Sequence, residues 1–151
     1  MTTLHKLLRA HEQTKHATDT GTKMHQRLQR VYIDGTNTHG DADLVAKIYA
    51  VPEIAKLFTA KSRTEVPIAG TINGRFISRR IDRLTIDDNT NTIHILDYKT
   101  DTNRDTYRNM YIAQINEYAL LLRAIYATYK IRGYILWTHD FSLENVHIKP
   151  L

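Results

Sequence analysis

The stretch RFISRRIDRLTIDDNTNTIHILDYK, residues 75–99, decides the fold. Residues 75–86 and 92–99 each read as a β-strand, and Asp87-Asp88-Asn89-Thr90-Asn91 between them has the composition of a turn. Side chains alternate faces along a strand, so Asp97 and Lys99 point one way and Tyr98 the other. If the two strands pair antiparallel, Asp82, Asp97 and Lys99 converge on one spot. Two carboxylates can hold a hard divalent cation such as Mg2+. An ammonium beside them can orient or activate a water and offset charge developing on a phosphate. That set suits hydrolysis of a phosphodiester. The plainer reading of Asp-x-Lys on a strand is a solvated face with a weak cross-strand ion pair, so the chemistry needs support from the rest of the chain.

Working outward, Glu65, Val66, Pro67, Ile68 and Ala69 lead into Asn73-Gly74, the strongest short hairpin signal. A three-stranded meander is therefore expected. Residues 105–129 read as a long helix with Tyr111, Ile115, Tyr118, Leu122 and Ile125 on one stripe. Residues 131–138 alternate like a strand, and 146–148 suggest a short edge strand. The first third reads helical. Leu4, Leu7 and Leu8 form a short apolar stripe, and Asp19-Thr20-Gly21 suits a helix start. Met24, Leu28, Val31 and Tyr32 then follow at helical spacing. Residues 35–40 are a polar break, and helices are expected over 42–49 and 52–58, where Pro52 suits a first turn. The expected architecture is one α/β domain over residues 1–151. Residues 1–60 form a helical part, and 61–151 form a mixed central sheet flanked by helices.

At 151 residues the chain is long enough to bury a real core. Its hydrophobic share of 42% and charged share of 25% are those of a globular protein rather than a fibrous or disordered one. No apolar run reaches the length of a membrane span and no signal-peptide core is evident, so a cytoplasmic protein without membrane attachment is expected. The absence of cysteine excludes disulfides, thiolate zinc sites and iron–sulfur clusters within this chain. A net charge of +5 tilts the expectation toward a polyanionic partner. No Gly-x-x-x-x-Gly-Lys-Ser/Thr loop is present, so the sequence carries no ATP motor of its own.

Three further features lie where such a site would use them. His25 falls four residues after Gly21 on an expected helix, and a neutral imidazole there could ligate a metal; a surface histidine is the plain alternative. Glu65 opens the first strand, where an exposed strand-end glutamate is the ordinary explanation. Gln114 and Tyr118 share a helix face at i, i+4, and could bind phosphate oxygens or a base, or simply belong to an amphipathic helix. Taken in order, Gly21-Thr22-x-x-His25, Glu65-Val66-Pro67-Ile68, Ile81-Asp82-Arg83-Leu84, Asp97-Tyr98-Lys99-Thr100 and Gln114-x-x-x-Tyr118 resemble the RecB-type nucleases of the PD-(D/E)xK superfamily. The likeness runs from Gly21 to Tyr118 and is nearest to the C-terminal nuclease domain of AddA/RecB helicase–nucleases. Some relatives carry four cysteines for an iron–sulfur cluster, and this chain has none. Three residues before the aspartate, where the family often has glycine, this sequence has Arg79.

The resemblance implies a restriction-endonuclease-like fold and Mg2+- or Mn2+-dependent DNA cleavage of exonuclease type, in the repair of double-strand breaks. It implies that His25, Asp82, Asp97 and the backbone carbonyl of Tyr98 hold the metal. Lys99 would orient and help deprotonate water, and Glu65 would bind a second metal or a metal-bound water. Gln114 and Tyr118 would hold the DNA strand, with Arg80 and Arg83, and nearby Arg79 and Arg104, contacting its backbone. A helicase motor in the same parent chain or complex is the implied partner. A catalytically inactive DNA-binding module is the alternative, followed by a metal-independent interaction domain in which Asp97 and Lys99 are structural.

Overall fold

The computed structural model describes residues 19–150; the leucine stripe at positions 4, 7 and 8 lies outside them. In chain order the elements are α1 (Asp19–Gln29), β1 (Tyr32–Asp34), β2 (Asn37–His39), α2 (Ala42–Tyr49), α3 (Pro52–Ala55) running into a 3-10 turn (Lys56–Phe58), β3 (Ser62–Ile72), β4 (Arg75–Asp87), β5 (Thr92–Lys99), α4 (Arg104–Ile125), β6 (Lys130–Trp137) and β7 (Ser142–Val146). The last five strands form one sheet in the order β3-β4-β5-β6-β7, antiparallel except for the β5–β6 pair. Parallel neighbours need a crossover, and α4 supplies it. No helix among the described residues is long and apolar enough to cross a membrane.

Both faces of the sheet are covered. Ile93 and Ile95 pack beneath α4 with Tyr111, Ile115, Tyr118 and Leu122, while Leu96 and Tyr98 pack on the other face with Leu28, Leu44, Ile48, Ile54 and Phe58 from α1 to the 3-10 turn. This split is the two-residue period of β5 made physical, and it explains why that strand is apolar almost throughout. The β3–β4 turn is built as its residues require. Ile72 pairs with Arg75, and Asn73 and Gly74 both take positive φ, 51° and 77°. A two-residue hairpin loop with that geometry favours Asn-Gly.

Strand β6 passes close under α4 at Gly133. A Cβ added at Gly133 would sit 2.5 Å from Ile115 Cγ2 and 3.0 Å from Ile148 Cδ1. Both are core contacts, and overpacking of this kind costs about 1–3 kcal/mol. Gly133→Ala should therefore lower the free energy of unfolding by that amount, read as a lower urea midpoint with little change in m-value; an unchanged midpoint would mean that α4 yields without cost.

Three expectations about boundaries need correction. The first helix stops at Gln29, and Tyr32 begins a small hairpin, β1–β2, that occupies much of the expected polar break. Val31 remains buried, but as the close of a turn rather than a helical stripe. Helix α4 ends at Ile125 rather than near 129, and Ile125 is exposed rather than part of the buried stripe. The edge strand is Ser142–Val146 instead of 146–148, because Asp140 accepts hydrogen bonds from Ser142 N and Oγ and turns the chain back directly after β6.

Candidate active site at the fork of the sheet

The β4–β5 ladder runs only as far as the pair Arg83–Leu96. Beyond it, β4 stays with β3 through Ile72–Arg75, whereas β5 stays with β6 through Lys99–Trp137. The two central strands therefore part, and the next positions outward are Asp82 and Asp97. At the fork the Tyr98 N–H donates to Asp82 Oδ2 at 2.9 Å, so a carboxylate takes the place of a ladder carbonyl. Ile81 and Leu84 both join the cluster beneath α4 although they are three residues apart. A regular strand would put them on opposite faces, so the pleat slips by one at Asp82. Across the β3–β4 pairing, Glu65 falls between the pairs Thr64–Arg83 and Val66–Ile81, directly facing Asp82. Its φ of 52° is left-handed, a strained state for a residue with a Cβ and one that concentrates at functional sites.

Other elements bring the remaining groups to this point. Helix α1 places His25 Nδ1 3.7 Å from Asp82 Oδ2, with its ring edge-on to Tyr98 at 5.4 Å between centroids. On β5, Lys99 Nζ lies 2.9 Å from Asp97 Oδ2, and both side chains are only 4% exposed. The solvated surface pair of the plainer reading is thus excluded. From α4, Gln114 Oε1 accepts from Lys99 Nζ at 3.4 Å. The Tyr111 ring lies under the same ammonium at 4.1 Å, a contact of cation–π type. Burial, and then the charges of Asp97 and Asp82, push the Tyr118 hydroxyl well above the ordinary tyrosine range. Tyr118 therefore stays a protonated donor within the field of both carboxylates.

His25, Asp82, Asp97, Lys99, Gln114 and Tyr118 are thus brought to one end of the sheet. The juxtapositions are pairwise: among the described residues, no three His, Asp or Glu groups are drawn together closely enough to hold a metal ion jointly. Glu65 faces Asp82 in the ladder, but its carboxylate is turned to the exposed Arg80 at 3.8 Å. Arg79 crosses to α4 and pairs with Glu117 at 2.8 Å. Arg104 is paired with Asp140 and lies over the Trp137 ring at 5.2 Å.

Arg83 must be corrected. It has no exposed surface, and its donors end on Tyr98, Ser62, Leu28 and Val31, so it cannot reach a phosphate. Its neighbour Asp82 instead turns its carboxylate to the Tyr98 N–H and to His25. The sequence reading also missed Tyr111 as a site residue. Its signal was present: positions 111, 114 and 118 share one helical face. Its hydroxyl is bonded to Asp101, and burial and that bond raise its pKa.

Compared with known proteins, the chain matches no family model and no curated sequence.

Proposed function

We propose that this chain is a divalent-metal-dependent deoxyribonuclease with a RecB-type PD-(D/E)xK fold, acting as the exonuclease domain of a helicase–nuclease in DNA break repair. One observation carries the reading: five motifs scattered from Gly21 to Tyr118 meet where β4 and β5 part. In that geometry an imidazole, two carboxylates and an ammonium come from three elements to a single end of the sheet. A buried Asp–Lys pair and a strained glutamate opposite an aspartate are costly features for a merely structural sheet.

The donor chemistry, carboxylate and carbonyl oxygen with an imidazole nitrogen, suits a hard cation, and binding one would have to draw these pairwise-placed groups closer together. His25, Asp82, Asp97 and the Tyr98 carbonyl would hold Mg2+ or Mn2+. When bound, such an ion polarises a phosphoryl oxygen and lowers the pKa of a coordinated water. Lys99, held between Asp97, Gln114 and the Tyr111 ring, orients the attacking water and offsets charge developing on the phosphate. Glu65 faces Asp82 and, turned away from Arg80, would hold a second metal or its water. Gln114 and Tyr118 present an amide and a protonated hydroxyl to the strand at the scissile phosphate. Arg80, on the open face of β4, contacts the backbone without reading sequence. The motor that feeds such a domain belongs to the same parent chain or complex, in the cytoplasm.

End-labelled single- and double-stranded DNA incubated with the protein should shorten in Mg2+ or Mn2+ and stay intact in EDTA. Binding without cleavage in both metals would favour the inactive DNA-binding module instead. Affinity measured in EDTA should fall steeply between 50 and 200 mM salt, because phosphate contacts release counterions. Salt-insensitive binding, or a marked sequence preference, would count against a backbone-reading nuclease.

A further inference from the structure

We propose that Arg83 is a positioning residue: it fastens the helix that carries His25 to the strand that carries Asp97 and Lys99, and so sets His25 against Asp82. The inference rests on the nuclease reading for its catalytic consequence but on geometry alone for the fastening.

Arg83 is fully buried, and its guanidinium lies over the rings of Phe58 at 4.2 Å and Tyr32 at 5.0 Å. Nε donates to Tyr98 Oη at 2.8 Å and one terminal nitrogen to Ser62 Oγ at 2.6 Å. The other terminal nitrogen donates to the carbonyls of Leu28 at 2.9 Å and Val31 at 3.0 Å. All four acceptors are neutral, and none of the described ion pairs includes Arg83. A buried cation without a carboxylate is a poor way to fill a core, since an apolar side chain of similar volume avoids the desolvation cost. What Arg83 supplies instead is a rigid planar fork of donors that bonds several elements at once.

The elements it joins are those of the site. Leu28 lies one helical turn after His25, so holding the Leu28 and Val31 carbonyls fixes the end of α1 nearest the imidazole. The Leu28 carbonyl is among the last four of α1, at the negative end of the helix, where a cation is favoured. On the strand side, Tyr98 meets Arg83 with its hydroxyl, Asp82 with its N–H and His25 with its ring edge. The contacts form a closed circuit: Arg83 to α1, α1 through His25 to Asp82, Asp82 to Tyr98, and Tyr98 back to Arg83. Lysine could not close it, because a single ammonium on a flexible stem cannot serve acceptors on α1, β3 and β5 together.

The test compares Arg83→Lys, Arg83→Met and Tyr98→Phe with the wild-type chain, all held below their melting temperatures. Proximity of the His25 and Tyr98 rings is read by proton NMR without metal, Mn2+ affinity by calorimetry, and kcat and KM on end-labelled DNA. Positioning predicts loss of the ring-to-ring signal in Arg83→Lys and Arg83→Met and its weakening in Tyr98→Phe. Mn2+ binding should be 10- to 100-fold weaker, the usual effect of removing a group that orients a ligand, and kcat should fall while KM for DNA holds. A purely structural arginine would lower melting yet leave folded molecules with wild-type ring contact, Mn2+ affinity and kcat, and that result overturns the proposal. Should the Arg83 variants fail to fold, Tyr98→Phe removes one hydrogen bond and decides the matter by the same readouts. If the wild-type protein neither binds Mn2+ nor cuts DNA, the nuclease reading falls, and the NMR comparison still tests the fastening.

Discussion

Lys99→Gln should reduce DNA cleavage about 10^2- to 10^4-fold, the range lost with a group that moves or holds the reacting proton, while the protein remains folded at the assay temperature. The ammonium has no lone pair with which to ligate a metal, so its loss should leave Mn2+ binding in place. Stability is the complication. Lys99 and Asp97 are buried together at 2.9 Å, and removing one partner of a buried pair costs about 3–5 kcal/mol because the other charge is stranded. Glutamine limits that cost by keeping length and a donor toward Asp97 and Gln114. The double variant Asp97→Asn, Lys99→Met removes both charges and should recover much of the lost melting temperature, since a neutral pair of similar volume is often as stable. It should stay inactive. A Lys99→Gln protein that cuts at the wild-type rate would end the catalytic assignment of Lys99, and cleavage by the double variant would remove the Asp97–Lys99 pair from the mechanism altogether.

Elements of about eight residues or more were legible because burial imposes a period on them. The meander followed from two alternating runs and Asn73-Gly74, and α4 from its apolar stripe, of which the buried Tyr111, Ile115, Tyr118 and Leu122 keep the spacing. The β1–β2 hairpin was missed because strands of three residues carry no measurable period. Site legibility had a different limit. Alternation alone placed Asp97 and Lys99 on one face, but whether that face was wet or buried depends on α4 packing over it. The fork, too, is a property of register: nothing in the residues of β4 says that its pairing with β5 stops at Arg83–Leu96. Arg83 was misjudged for a related reason. A basic residue beside a candidate metal-binding aspartate suggests phosphate, and only the carbonyls of Leu28 and Val31, more than fifty positions earlier in sequence, reveal its true acceptors.

Adding millimolar Mn2+ should raise the melting temperature of the wild-type protein by several degrees and that of Asp82→Asn far less. A ligand that binds only the folded state stabilises it by RT ln(1 + [L]/Kd), about 2.7 kcal/mol at a hundredfold excess over Kd. For a domain of 151 residues that corresponds to a rise of roughly 5–10 °C, at about 2–4 °C per kcal/mol. The choice of asparagine matters. Asp82 accepts the Tyr98 N–H at the fork, and alanine would leave that buried donor unsatisfied at a cost of about 1–3 kcal/mol. Asparagine keeps an acceptor and removes the charge, so metal-free melting should change little while the Mn2+ response collapses. Asp97→Asn tests the second carboxylate but strands Lys99, so its metal-free melting should drop before any metal is added. His25→Gln, which removes the imidazole 3.7 Å from Asp82, should weaken the Mn2+ response without that drop. Equal Mn2+ shifts in the wild type and in Asp82→Asn, or no shift in the wild type, would remove the metal from the fork. Either outcome would leave the constellation to be explained as structure alone.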